Sequence, residues 1–235
     1  MMQSFIWDYI AFVIFVMSWK GYGFYAARAA KTKPCISNTL DLYREDWMRR
    51  LLKRENRISD TSVIGNLERN GAFFASSSLL IMAGILTALG YTDRAIELFN
   101  DVPFAVHNDR MMWEIKFGLL LVVFVYAFFK FTWAMRQYNF CAVLIGSAPL
   151  VDEPKVSPAA REAFACSAAR VANLAGDAFN LGLRSYYFAL AVLAWFVHPI
   201  LFIIVSIAVV MILYHREFSS RALKGLRSGK VFEDR

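Results

Sequence analysis

Residues 185–214 read SYYFALAVLAWFVHPILFIIVSIAVVMILY, a stretch of thirty residues that contains no acidic side chain, lysine or arginine. A helix needs ~20 apolar residues to cross a bilayer, so thirty are too many for one span. The dipeptide His198-Pro199 lies in the middle, where proline lacks the N–H that a continuous helix requires. The stretch therefore predicts either one kinked helix or two short spans that meet in a tight hairpin.

Three further apolar runs precede this stretch, at residues 5–27, 71–91 and 117–134. Hydrophobic residues make up 58% of the 235, which is typical of membrane proteins. The sequence thus predicts an all-α, polytopic membrane bundle in one membrane domain, residues 1–235. The predicted spans are about 5–27, 70–91, 113–135, 178–198 and 200–216.

The distribution of basic residues favours the hairpin. Ten Lys or Arg lie in residues 28–69, two in 92–110, four in 136–177 and six in 216–235. Cytosolic segments carry an excess of positive charge. If the N-terminus is outside, all three basic segments face the cytosol only when the chain crosses five times. We therefore predict five spans with the N-terminus outside and the C-terminus inside; the alternative is four spans with a basic tail outside.

Composition and motifs argue against several classes of function. The net charge is +7, but the basic residues lie between and after the apolar runs, where topology requires them, so no nucleic-acid partner is predicted. The cysteines and histidines are too far apart for a disulfide framework, a metal site or haem ligation. Motifs for nucleophilic catalysis, metal-assisted hydrolysis and nucleotide binding are missing, so we expect no enzyme and no cofactor.

Several helices are predicted to continue beyond the bilayer on the cytosolic side. The second begins near the possible N-caps Ser59, Asp60 and Thr61, and the fourth begins at Ser157-Pro158 and runs to about His198. The fourth helix would be about 60 Å long, roughly twice the hydrocarbon thickness. Its alanine-dense part, residues 159–178, should pack closely against other helices or another subunit.

Residues 36–57 carry apolar side chains at helical spacing, with most of their arginines elsewhere. This pattern predicts an amphipathic cytosolic helix that lies on the inner leaflet or against the long fourth helix.

Polar and charged side chains recur near the cytosolic end of the predicted spans. Counted inward from the outer ends, five of them come out at similar depth: Asn70, Lys130, Asp177, Asn180 and Arg184. Ionisable groups inside a span need a partner, water or an escape to the interface. These residues predict either interhelical hydrogen bonds that set the register of the bundle or a vestibule for anions. Asp8, Lys20 and Lys116 are instead expected at the membrane interfaces.

Three stretches carry a resemblance to a known family: NGAFFASS at residues 70–77, YAFFKFTWAMRQYN at 126–139 and GLRSYYFALA at 182–191. They resemble the bacterial and plant membrane-protein family catalogued as domain of unknown function 599, over nearly the whole chain. The resemblance implies a multi-pass helical protein of the bacterial inner (plasma) membrane. It implies no activity and no functional residue, because the family is defined without one.

Three functions remain open at this point. The first is a homo-oligomeric channel or transporter-like protein for small anions, with Lys130, Arg184 and Asn70 facing a cytosolic vestibule. The second is a structural or accessory membrane subunit that binds another membrane protein through its cytosolic helices. The third is an enzyme that acts on lipid headgroups with Asp177 as base. The expected partners are the lipid bilayer and other copies of the chain.

Overall fold

The computed structural model describes residues 2–100 and 109–229, and within these ranges the chain is helical and contains no strand. The described helices are α1 Met2–Ala29, α2 Ile36–Leu51, α3 Ile58–Gly90, α4 Thr92–Asn100, α5 Arg110–Gly146, α6 Pro158–Val197, α7 Pro199–Phe218 and α8 Arg221–Ser228. Five segments are long and apolar enough to cross a membrane: Ile6–Ala29, Ile58–Gly90, Arg110–Gly146, Pro158–Val197 and Pro199–Ser228. The predicted all-α fold with five spanning helices is confirmed, and its orientation stays a prediction.

The spanning helices present most of their apolar side chains to the outside. At most 44% of the residues in each apolar window are buried, and large side chains such as Leu80 on α3 and Ile204 on α7 are exposed. Continuous apolar surface of this extent is rare on proteins that water surrounds. It fits contact with lipid, and the five helices therefore indicate a multi-pass membrane protein.

The thirty-residue stretch forms a hairpin. Helix α6 ends at Val197 and α7 begins at Pro199, and the Nδ1 atom of His198 accepts a hydrogen bond from the backbone N–H of Ile200 at 3.1 Å. The rings of Trp195 and Phe202 stack across the bend with centroids 4.9 Å apart. At the other end of the pair, Arg216 on α7 donates a hydrogen bond to the Tyr187 hydroxyl on α6. The two helices are therefore antiparallel, and the alternative of one kinked helix is wrong.

The chain divides into two compact units. The first unit comprises the described parts of Met1–Ala29, Ser76–Phe129 and Leu181–Arg216, and the second unit those of Ala30–Ala75, Lys130–Asn180 and Glu217–Arg235. The predicted assignment of all 235 residues to one membrane domain stays a prediction.

Large side chains form the core of the first unit. Phe15 of α1, Val123 of α5, Phe188 of α6 and Phe202 of α7 are fully buried there. The Phe15 ring lies 5.9 Å from the Phe188 ring and 5.1 Å from the Phe202 ring, centroid to centroid. Tilted and edge-on ring pairs at these distances stabilise a core beyond the burial of area alone.

Alanine forms much of the core of the second unit. The alanine-dense face of α6 is buried there, together with Met48 and Leu51 of α2 and Tyr138 of α5. The buried alanines are Ala165, Ala168, Ala169, Ala172, Ala175 and Ala178. Small side chains let neighbouring helices approach closely. The predicted packing role of residues 159–178 is confirmed, and α2 packs within the same core, against α6.

The starts of α6 and α3 both follow capping rules, and the start of α3 differs from the prediction. Helix α6 begins at Pro158 as predicted, and the Ser157 hydroxyl accepts a hydrogen bond from the Ala160 N–H at 3.2 Å. Helix α3 begins at Ile58, before the predicted caps, because the Asn56 side chain accepts from the Ile58 N–H at 2.9 Å. Asp60 is instead buried, where it accepts hydrogen bonds from Trp47 and Arg54.

Helix α2 begins at the predicted residue 36 and ends at Leu51, six residues before the predicted end. Its cap is a cysteine: the Cys35 sulfur accepts a hydrogen bond from the Asn38 N–H at 3.5 Å, and the Asn38 side chain accepts one from the Cys35 N–H at 2.9 Å. Burial raises the pKa of the Cys35 thiol. The thiol is therefore a neutral capping group.

Candidate functional site

The five predicted site residues fall in different units. Asn70 on α3, Lys130 on α5, and Asp177 and Asn180 on α6 belong to the second unit, whereas Arg184 on α6 belongs to the first. Asn70 and Asp177 are exposed, and the other three are half-buried. A single network of all five residues stays a prediction.

In the second unit, Asp177 takes part in contacts that hold α2 against α6. It accepts a hydrogen bond from the Ser37 hydroxyl at 3.2 Å. One turn closer to the start of α6, Asn173 accepts a hydrogen bond from Arg44 at 3.4 Å, and Arg44 also pairs with Asp41 at 3.0 Å. Burial raises the pKa of Asp41, Arg44 opposes that rise, and the charge of Asp177 adds to it. These contacts join α2 to α6, and the register-setting role of the polar side chains stays a prediction.

Aromatic rings pack beside the other predicted site residues of the second unit. Phe131 follows Lys130 in α5, and Phe179 precedes Asn180 in α6. The Phe131 ring lies 5.1 Å from the Phe74 ring of α3 and 5.5 Å from the Phe179 ring. Phe131 is fully buried. At this level, α3, α5 and α6 are thus joined by a compact aromatic cluster.

The first unit contains a cavity of about 200 Å³ with positive charge in its wall. Two cationic side chains, Lys20 of α1 and Arg184 of α6, line it. The remaining described lining residues are Trp19, Tyr22, Gly23, Phe24, Tyr126, Leu181 and Phe188. None of these described lining residues is acidic. We call this feature the cationic cavity.

Aromatic rings position both cations of the cationic cavity. The Lys20 ammonium lies 4.6 Å from the centroid of the Trp19 ring and 4.5 Å from that of Tyr126. The Arg184 guanidinium lies 5.4 Å from the centroid of the Tyr22 ring. Electron-rich ring faces attract cations at such distances, more strongly where water is excluded. The rings therefore stabilise positive charge in the wall of a cavity.

Two glycines of α1, Gly21 and Gly23, leave open space near the aromatic residues of the cationic cavity. A Cβ atom added at Gly21 or at Gly23 would have no heavy atom within 4 Å. Gly23 lines the cationic cavity, whereas Gly21 lines an apolar groove between α1 and α7 that shares Tyr22 with the cavity. A side chain at Gly23 would have open space at the lining of the cationic cavity.

In a second polar cluster of the first unit, Asp8 and Lys116 face the protein interior, and their expected position at the membrane interfaces stays a prediction. Both side chains are buried, at 3% and 0% exposure. The Lys116 ammonium donates a hydrogen bond to the Trp195 carbonyl oxygen at 2.9 Å, and the Trp195 indole N–H donates one to Asp8 at 2.6 Å. Trp195 thus bridges two opposite charges, and Asp8 attracts Lys116 electrostatically.

One signal in the sequence could have indicated this cluster. Asp8 lies inside the predicted span 5–27 and Lys116 inside 113–135. Opposite charges inside two spans are most stable when they pair within the bundle. The same signal does not indicate Lys20, because the described lining of the cationic cavity contains no acidic residue that would pair with it.

Metal chemistry has no visible basis in the described part of the chain. Across residues 2–100 and 109–229, no group of three or more His, Cys, Asp or Glu side chains is arranged to hold a metal ion. The polar features of these residues are cations held by aromatic rings and hydrogen bonds between helices.

Comparison with known proteins assigns a family and no activity. The family described as "Protein of unknown function, DUF599" matches residues 10–222. No curated protein and no solved structure matches the chain. Because the match covers all five membrane-length helices for most of their extent, the chain belongs to the DUF599 family.

Proposed function

We propose that the protein binds small anions in the cationic cavity and passes them across the membrane as a channel or transporter-like protein. The observation that carries this proposal is the lining of the cavity, in which Lys20 and Arg184 are the charged groups among the described residues. The role requires no covalent chemistry, so the protein is proposed not to be an enzyme. Association of several copies belongs to the same proposal.

The physical argument concerns positive charge at a cavity beside apolar spanning helices, where Lys20 is exposed and Arg184 is half-buried. Charged side chains within spans are costly and mark ion or substrate pathways when they face a cavity. Coulomb attraction between a cation and a bound anion is stronger there than in water, because the effective dielectric constant is lower. Two cations in one wall of a cavity of about 200 Å³ would therefore favour a small anion over a cation.

Flux through proteoliposomes tests the proposal. Purified protein in liposomes should release a loaded small anion such as nitrate or chloride. Lys20→Gln and Arg184→Gln should each lower that flux at least tenfold, a change of about 1.4 kcal/mol in barrier height. The matched control is Lys224→Gln, which removes one positive charge from an exposed position on α8 and should leave the flux unchanged.

Lys130→Ala separates this site from the vestibule predicted from sequence. A loss of flux in Lys130→Ala together with normal flux in Lys20→Gln would place the pathway in the second unit. Wild-type flux in both Lys20→Gln and Arg184→Gln would refute the role of the cationic cavity.

Observations on the second unit favour a second candidate, a structural or accessory subunit. Its polar side chains join helices: Ser37 binds Asp177, Arg44 binds Asn173, and Asn139 donates a hydrogen bond to Glu68 at 2.8 Å. Such contacts support a rigid scaffold for another membrane protein. Liposomes that show no anion flux, together with stable co-purification of one other membrane protein, would favour this candidate.

A further inference from the structure

We propose that the cationic cavity binds an organic carboxylate with a compact apolar body in preference to a hydrated inorganic ion. This inference rests on the proposed function and names the substrate class of the same site. It is carried by the aromatic lining, the volume of the cavity and the placement of its two cations.

The lining suits an apolar body. Five of the lining side chains are aromatic, contributed by Trp19, Tyr22, Phe24, Tyr126 and Phe188. Moving apolar surface out of water and against such rings is favourable, and aromatic bodies can in addition pack edge-on or offset against them. A hydrated halide gains nothing from these walls, because it must give up water ligands that rings do not replace.

The volume suits a molecule rather than a single ion. About 200 Å³ is the volume of roughly seven water molecules at about 30 Å³ each. A halide would leave most of this space to water beside apolar walls. A benzoate ion offers an apolar ring that can occupy this space beside the aromatic side chains.

The cations suit a carboxylate. Lysine offers three N–H donors and the arginine fork offers five, and arginine binds carboxylates with two parallel hydrogen bonds. Trp19 and Tyr126 hold the Lys20 ammonium through their faces, and Tyr22 holds the Arg184 guanidinium. A cation that stacks on a ring still presents N–H groups along its edge. Lys20 on α1 and Arg184 on α6 thus bring donors from two helices to the lining of the same cavity.

Calorimetric titration of the full chain in detergent tests this inference with four probes. Sodium benzoate has both the charge and the apolar body, acetate keeps the charge, benzamide keeps the body, and chloride is the inorganic ion. We expect benzoate to bind at least tenfold more tightly than each of the other three, a difference of about 1.4 kcal/mol.

A pair of glycine variants locates the binding site. Gly23→Val places a side chain in the cationic cavity and should weaken benzoate binding at least tenfold. Gly21→Val adds the same side chain two residues away on the same helix, beside the apolar groove, and should leave benzoate binding unchanged. Both positions have open space for a Cβ atom, so both variants should fold.

The outcomes separate this inference from the proposed function. Three outcomes overturn the carboxylate assignment. Chloride or acetate binds as tightly as benzoate, or benzamide does. Alternatively, Gly23→Val keeps full affinity for benzoate. If chloride or acetate binds as tightly as benzoate, the proposed binding of anions still stands, provided that Lys20→Gln weakens the binding of those anions. If none of the three anions binds the wild-type chain, the proposed function falls together with the inference.

Discussion

Lys116 shows how a single charged side chain is accommodated inside the first unit. Its ammonium is fully buried, donates to the Trp195 carbonyl at 2.9 Å and lies 5.6 Å from the centroid of the Trp195 ring. The indole N–H of the same tryptophan binds Asp8. Trp195 therefore satisfies one positive and one negative group at once, directly before the bend at His198.

Removing one charge of this cluster should destabilise the protein. Lys116→Met leaves Asp8 buried without a compensating positive charge, and we expect a loss of about 3 kcal/mol in the free energy of unfolding. The measurement is SDS-induced unfolding of the purified protein in mixed micelles. Lys224→Met, at an exposed position on α8, is the control and should change the value by less than about 0.5 kcal/mol.

The double variant Lys116→Met with Asp8→Asn distinguishes coupling from two separate losses. If the two charges stabilise each other through Trp195, the double variant should be less destabilised than the sum of the single ones, by about 1 kcal/mol or more. Strictly additive changes would show that Asp8 and Lys116 act independently.

Among the helices, α3 and α5 approach closely at Gly71. A Cβ atom at this position would lie 2.7 Å from the Met135 Cγ atom and 3.7 Å from the Phe131 carbonyl oxygen. The first distance is far below van der Waals contact, so the absence of a side chain permits the packing of the two helices. Phe74 and Phe131 of the aromatic cluster lie on the same two helices, and Phe179 joins them from α6.

A pair of glycine-to-alanine variants on α3 tests this close approach. Gly71→Ala should destabilise the protein by about 1–3 kcal/mol, because the half-buried Met135 must leave its position beside the buried Gly71. Gly84→Ala on the same helix has no heavy atom within 4 Å of the new Cβ and should be neutral or stabilising by up to about 1 kcal/mol. Both changes are read from SDS-induced unfolding.

A second change in the partner helix provides a check on this explanation. Met135→Ala removes the atom that the new Cβ would strike, so it should recover part of the stability lost in Gly71→Ala. A Gly71→Ala variant as stable as the wild type, or one that Met135→Ala does not improve, would contradict the steric account.

For the chain as a whole, the native cysteines test the predicted orientation. Cys166 on α6 is exposed, whereas Cys35 and Cys141 are buried. With five spans and the N-terminus outside, Cys166 lies in the cytosol. A membrane-impermeant maleimide should therefore label Cys166 in inside-out vesicles and leave intact cells unlabelled.

Cys166→Ser provides the control, since it should abolish labelling in the vesicles. Labelling of Cys166 in intact cells would reverse the predicted orientation without changing the fold. Equal labelling in both preparations would indicate a mixed orientation.

Much of the fold could be predicted from the amino-acid sequence because it depends on local properties. The length of an apolar run limits how often the chain can cross a bilayer, and Pro199 cannot continue the helix that precedes it. The hairpin between α6 and α7, the start of α6 at Pro158 and the packing role of its alanines were predictable on these grounds. The start of α3 was missed because several residues could cap it, and only the folded chain shows that Asp60 binds Trp47 and Arg54.

The cationic cavity and the second polar cluster of the first unit depend instead on contacts between residues far apart in the chain. Asp8 and Trp195 are 187 positions apart, and Lys116 and Trp195 are 79 apart. Helical periodicity shows which side chains share a face, but not which neighbour that face meets, because the rotation and packing of the helices depend on the whole core. For that reason Arg184 was identified from sequence as a site residue, while Lys20, its neighbour in the cationic cavity, emerged only from the packed helices.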